Sequence, residues 1–387
     1  MVSFSFLKSN PGPSKANETD TPLDGSDGDR SVEIVFLQDT TGSQGPYINS
    51  ARKAIRDICD KISASADIKK EMIRFGLVAF RDHPPQDHSY VTKIFGFTDN
   101  ISVMQANLNS LIASGGGDGP EAQTAALAAA LNLEWIDNAV KIVVLITDSP
   151  PHGIGEAGDG FTESPDQNDP LDIARQMAER GITLFVIACE PSLSKYQNAV
   201  DFYTALTQLT NGKIFSLMMA DKLGDYIVGT AVETIETEKL IKEFEHVIVD
   251  DVYGGDTSIE TVTNNLQEKL QQKGLKINTM AVDNIYNETA ETRANTNIWH
   301  SSKNIADARQ NVSQSRMPRM QREYASKAKT PAMSVTSQAF SQQQAQRIVM
   351  SSVARNSKVT SEGMFSRTFG GKSVSSTAYS PYKPDGV

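Results

Sequence analysis

Cysteine is almost missing from this chain: 387 residues contain two, Cys59 and Cys189, alongside five histidines. That scarcity excludes a disulfide-stapled scaffold and a cysteine-built zinc module. Both thiols read as buried, one in a helical pattern and one at a strand end. No apolar run approaches the about 18 residues of a membrane-spanning helix. Residues 1–30 lack an apolar stretch of signal-peptide length, and Val2 stands where myristoylation needs glycine. They read as a disordered Gly/Ser/Pro/Asp-rich leader. Together these absences set the expectation of a cytoplasmic protein.

Enzyme signatures are missing too. "TTGSQGP" (40–46) has no lysine to reach a phosphate, and "GGGDGP" (115–120) has proline where a dinucleotide fingerprint needs its third glycine. No Gly-x-Ser-x-Gly elbow occurs. An aspartyl-phosphate phosphatase built on Asp39 would need an acid two residues later, where Thr41 stands.

What is present is a strand–helix alternation between residues 32 and 218. Strand-like runs fall at 32–38, 73–80, 89–97, 141–147, 182–190 and 213–218. The third alternates and is short, as an edge strand does; "KIVVLIT" is continuously apolar, as a strand covered on both faces must be. Helical patterns at 46–62, 101–112, 120–135, 170–181, 196–210 and 221–235 separate them. The fold class expected is α/β: a doubly wound, mainly parallel six-stranded sheet, followed by a helical appendage and a disordered C-terminal tail. The boundaries read as 31–240 for the α/β domain, 241–284 for the appendage and 285–387 for the tail.

Ligands of such sheets bind beyond the carboxyl ends of the strands, where strand order reverses. Two apolar runs end there in aspartate, "FLQDTTGS" (36–43) and "LITDSPPHG" (145–153), and the loop "SGGGDGPEA" (114–122) brings Asp118. Three carboxylates with two hydroxyls, and no cysteine, make a hard-oxygen donor set suited to Mg²⁺ or Mn²⁺. Asp-x-Thr-x-Ser turns alternate side chains toward one ion, and Gly42 leaves the turn free of a Cβ. Plainer readings stand beside this one. Asp118 and Glu121 have capping-box spacing, Asp39 suits a helix cap, and Asp148 suits a turn before Ser-Pro-Pro. His83, His88 and His152 read as solvated or hydrogen-bonded, and the carboxylates of 156–170 as a solvated rim.

"DTTGS", "GGGDGPEA" and "VVLITDSPP", in this order and on this sheet pattern, resemble the von Willebrand factor type A domain and its metal-ion-dependent adhesion site. The resemblance covers roughly residues 31–240 and is nearest to intracellular members, including the A-type domain of von Willebrand-type alpha-kinases. It implies that Asp39, Thr41 and Ser43 surround a Mg²⁺, with Asp148 in support. Asp118 falls where many members have threonine, and a third carboxylate makes the ion's surroundings net negative. It also implies a protein partner whose acidic side chain completes the coordination. An alpha-kinase domain would need roughly 200 more residues and His/Cys zinc ligands, which are not found after residue 240. A metal-dependent hydrolase or phosphotransferase is the competing reading, with His152 as its nearest base; a kinase-pathway component without its own kinase domain is another.

Charge is uneven. Residues 301–387 hold thirteen Lys/Arg against four Asp/Glu, a balance of +9, which leaves −19 on residues 1–300. The basic segment reads as disordered; its scattered arginines form no recognisable nucleic-acid or membrane module. A second expectation is that it folds over the acidic body and screens the metal face, in a salt-sensitive way.

Overall fold

The computed structural model describes residues 31–66, 68–255, 257–313 and 318–368; the expected leader and residues 369–387 lie outside them. The chain opens with β1 (Val32–Asp39) and α1 (Gly45–Ala66), then β2 (Ile73–Phe80) and β3 (Thr92–Thr98). Next come α2 (Ile101–Asn109), α3 (Gln123–Leu131), β4 (Val140–Thr147), α4 (Pro170–Glu179) and β5 (Ile182–Cys189). α5 (Ala199–Leu209), β6 (Ile214–Leu217) and α6 (Leu223–Val249) complete the α/β unit.

The six strands form one sheet in the order β3-β2-β1-β4-β5-β6, parallel except for the antiparallel edge strand β3. The expected architecture is therefore the observed one. β1 and β5 are buried along their whole length, because helices cover both faces. One face packs Ile34 and Phe36 against Ile55, Ile58 and Ile62 of α1 and Ile227 of α6; the other packs Val35 and Leu37 against α3, α4 and α5. Strand order turns from leftward to rightward between β1 and β4, so the β1 and β4 loops leave the sheet side by side.

Beyond the sheet, α7 (Ile259–Gln272) and β7 (Lys276–Val282) are followed by α8 (Ala290–Ser301), α9 (Ile305–Arg309) and α10 (Arg322–Ala325). β8 (Met333–Ala339) pairs antiparallel with β7, and α11 (Gln342–Thr368) closes the described chain. The expected helical pair packs within the chain: Ile241, Phe244 and Ile248 of α6 meet Val262, Leu266 and Leu270 of α7 and Ile348 of α11. Residues 285–313 and 318–368 carry defined elements, of which the sequence marks only a helical stretch at 339–354, most of it within α11. Trp299 of α8 is fully buried against Phe202 of α5. Isolated apolar residues such as this form no periodic stripe, so their burial depends on a surface contributed by distant helices.

Candidate metal centre

Three loops meet beyond the carboxyl ends of β1 and β4. Thr40 N donates to Phe80 O (2.9 Å), continuing the β1–β2 ladder one residue past the strand. Ser114 N then donates to Thr40 O (3.0 Å) and Gly42 N to Gly115 O (3.2 Å), which joins the first loop to the second. Glu121 N donates to Pro150 O (3.0 Å), and Gln123 Nε2 donates to Thr147 Oγ1, Ser149 Oγ and Ser149 O, joining the second loop to the third. Gly115 and Gly116 sit at φ +83° and +84°. A Cβ on Gly116 would lie 2.6 Å from Glu121 Oε1 and 3.4 Å from Thr41, so glycine lets this turn fit against its own Glu121 and the first loop.

Asp39 is fully buried. Its Oδ1 accepts from Thr41 N (2.9 Å) and Thr41 Oγ1 (2.6 Å), and its Oδ2 from Thr147 Oγ1 (2.8 Å). Burial and the nearby Asp148 charge nonetheless push its carboxyl up to about 7. Thr41 is buried, Asp148 nearly so, and Ser43 is exposed at the mouth. Asp39, Thr41 and Asp148 are thus brought together, and Ser43 lies in the same loop with its side chain exposed. A buried carboxylate beside a second one, with serine and threonine hydroxyls around them, is a donor set that fits a hard divalent cation.

Asp118 is placed differently. The charges that act on it most are those of His152, Asp82 and Asp159, and Gly160 N holds its Oδ2 at 2.9 Å. It caps no helix either, since α3 starts at Gln123 after Ala122, and Glu121 lies ahead of the helix. The capping-box reading fails because Glu121 sits in a β-bridge to Pro151, ahead of the helix.

Asp82, which the sequence reading did not single out, converges here with Glu121 and His152, to which it gave other roles. Glu121 is buried, and burial together with Asp39, Asp82, Asp118 and Asp148 pushes its carboxyl up to about 10. His152 is 1% exposed, with Nε2 2.7 Å from Asp82 Oδ1 and Nδ1 2.7 Å from Asp159 Oδ1. Burial pulls its pKa down, but the two carboxylates outweigh burial and lift it to about 9. The expected solvated rim is corrected in part. Asp159 turns inward to His152, and buried Glu156 accepts from the amides of Gln197, Asn198 and Ala199 at the start of α5. One signal for Asp82 was present: "AFRDH" places a carboxylate just past β2, as Asp39 and Asp148 end β1 and β4.

Residues 33–225 match the family model of the von Willebrand factor type A domain. The chain is 27% identical over 194 residues to a protein of Acanthamoeba polyphaga mimivirus named as an ariadne-like RING finger protein, covering 48% of this chain and 18% of that one. It is also 27% identical over 124 residues to alpha-protein kinase vwkA of Dictyostelium discoideum, covering 32% of this chain and 19% of the kinase. The matched part thus spans less than a fifth of either relative. Among solved structures, the pilus adhesin SpaC of Lactobacillus rhamnosus GG aligns with a TM-score of 0.40 at 13% identity, over 53% of this chain and 31% of the adhesin. The family match begins at the second residue of β1 and ends in the first turn of α6, so it coincides with the sheet and the helices that cover it, and this chain belongs to the von Willebrand factor type A domain family.

Proposed function

We propose that the chain is a protein-interaction module that binds a Mg²⁺ (or Mn²⁺) at the carboxyl end of its sheet and uses it to hold an acidic side chain of a partner protein. Asp39, Thr41 and Ser43 would hold the ion, with Asp148 in support and Asp118 at a remove. The observation that carries this reading is Asp39: a fully buried carboxyl next to a second carboxylate and bonded to the Thr41 hydroxyl. The ion would supply positive charge there, and exposed Ser43 leaves its outer side open to a partner's carboxylate. The relatives support a binding role as well. One is named a kinase and the other a RING finger protein, and each shares with this chain less than a fifth of its length. A segment found within such different proteins is a module that connects. We place the function inside the cell, as the kinase relative and the two unbridged thiols favour. Among the described residues no helix is long and apolar enough to cross a membrane.

The hydrolase reading finds no support in His152, whose nitrogens both face carboxylates in a buried position. With both nitrogens engaged by carboxylates, neither is free to take a proton from water. A contribution to a kinase pathway through binding alone remains compatible with the module.

The test is thermal unfolding of the purified chain in EDTA and in excess Mg²⁺, followed by partner capture from cell extract under both conditions. Binding to the native state alone raises Tm with free ion concentration. The expected result is a Mg²⁺-dependent rise and a captured protein, both lost in Asp39→Ala. Capture that is unchanged by EDTA would remove the ion from recognition.

A further inference from the structure

A second group of ligating side chains draws on two of these loops and on the segment after β2. Asp82, two residues past β2, Asp118 before α3 and His152 after β4 each place a ligand atom within 4.8 Å of the other two. We propose that Asp82, Asp118 and His152 bind a second divalent ion, of the zinc class, at a site separate from the Asp39 face.

The donor set selects the ion class. One imidazole nitrogen and two carboxylate oxygens suit zinc or a neighbouring first-row ion, whereas Mg²⁺ takes oxygen donors alone. The strongest support comes from oxygens that have no donor. Asp82 is completely buried, and its Oδ2 has no hydrogen-bond partner. Asp118 Oδ1 and Glu121 Oε2 are likewise enclosed and unpartnered, and Glu121 is 5% exposed and close enough to feel both aspartates. Buried carboxylate oxygens are ordinarily satisfied, and each exception calls for an explanation such as an ion. Asp82 and Asp118, each with such an oxygen, stand beside His152 in one group, and that pairing calls for a cation.

His152 is oriented as a ligand would be. Asp159 accepts from Nδ1 and is itself fixed by Gly153 N (2.8 Å) and Phe161 N (2.9 Å), which leaves Nε2 facing Asp82. A carboxylate behind the far nitrogen is the usual support of a metal-bound histidine. The Phe161 ring packs edge-on to His152 with centroids 4.6 Å apart, so the imidazole has little room to turn. Zinc bonds of about 2.0–2.2 Å hold ligand atoms roughly 3.5 Å from one another. With all ligand atoms within 4.8 Å of one another, the group needs to contract by no more than about 1.3 Å to reach that spacing. Asp118 is the one partly exposed member, and its Oδ2 is held by Gly160 N, so the adjustment falls to its Oδ1.

The experiment uses the full chain, freed of any affinity tag and stripped with EDTA. It is reloaded with zinc in a large excess of Mg²⁺, and the metal is counted by mass spectrometry after gel filtration. Cobalt then replaces zinc as a visible probe. The expected result is one zinc per chain, kept in Asp39→Asn, and cobalt bands typical of nitrogen and oxygen ligation. Asp82→Asn and His152→Gln should weaken zinc by more than the roughly 10–100-fold that loss of an outer partner costs. Asp118→Asn, at a partly exposed position where folding is not at stake, should weaken zinc and shift the cobalt spectrum. A wild-type chain that keeps no zinc would overturn the proposal and leave a hydrogen-bonded Asp–His–Asp relay. So would zinc kept equally by Asp118→Asn, or zinc lost with Asp39→Asn, which would merge the two sites. Because Asp39→Asn removes the Mg²⁺ face alone, failure of one site is distinguishable from failure of the other.

Discussion

Asp39 is where folding and binding pull in opposite directions. Three hydrogen bonds favour its ionised form, yet burial and Asp148 push its carboxyl up to about 7 in the metal-free protein. An unfolded aspartate titrates near about 3.9. Between those values the native state binds more protons than the unfolded state, so stability falls as pH rises from about 4 to about 7. The displacement corresponds to about 4 kcal/mol as an upper bound. Asp39→Asn removes the charge and keeps the size. Without metal, that variant should match wild type at about pH 4 and exceed it by about 1–3 kcal/mol at pH 7.5, while gaining nothing from Mg²⁺. Urea unfolding in EDTA at the two pH values reads this directly. A variant less stable than wild type at pH 7.5 would mean the hydrogen bonds outweigh the charge. The Asp39 loop was legible in the sequence because its donors alternate within five residues. Asp82, Glu121 and His152 were not, because each is one polar residue in its own loop and only the packing of three loops brings them together.

At the scale of elements, all six strands were legible, since apolar runs bounded by polar turns leave few other assignments. The loop of Gly115 and Gly116 was legible as glycine-rich, but not as the piece that joins the other two loops. Gly116→Ala would place a methyl against Glu121 and Thr41 at φ +84°, a conformation alanine adopts at a cost. The expected loss is about 1–3 kcal/mol, with the Mg²⁺-dependent rise in Tm reduced because the strained turn and displaced Glu121 shift the loop against Thr41. Retention of the full Mg²⁺ response would show that the loop does not set the site. α8 was not legible: Trp299 stands among polar neighbours, and the apolar surface it fills belongs to α5, some 90 residues earlier. Trp299→Ala should cost about 3–5 kcal/mol by chemical unfolding, as large aromatics in cores do. A cost under about 1 kcal/mol would detach α8 from the core of the domain.

Over the whole molecule, the charge imbalance is an internal matching of opposite signs. Arg319 pairs with Asp201 of α5, and Arg347 and Arg355 of α11 pair with Glu233 and Glu238 of α6. All three acids are buried, so these contacts are enclosed and bulk salt reaches them poorly. Arg309 reaches the loop beside His152, donating to Gly153 O and Thr162 O. The described part of the basic segment therefore acts as a brace along α5 and α6, and it does not lie across the Asp39 face as a removable screen. The two roles respond differently to salt. A screen held by long-range charge would be released near about 1 M salt, where the Debye length falls to about 3 Å, and metal-dependent binding would rise. A brace would leave both Tm and binding nearly unchanged. Ending the chain after residue 341 should do far more. It uncovers Ile248, Leu266 and Leu270 and leaves Glu233 and Glu238 without their arginines. Removing one partner of a buried pair costs about 3–5 kcal/mol, and Glu238→Gln, which removes the stranded charge, should recover part of it in the truncated chain. A truncated chain as stable as the full one would return the segment to the role of a loosely held tail, whereas partial rescue by Glu238→Gln is an outcome that only an enclosed pair produces.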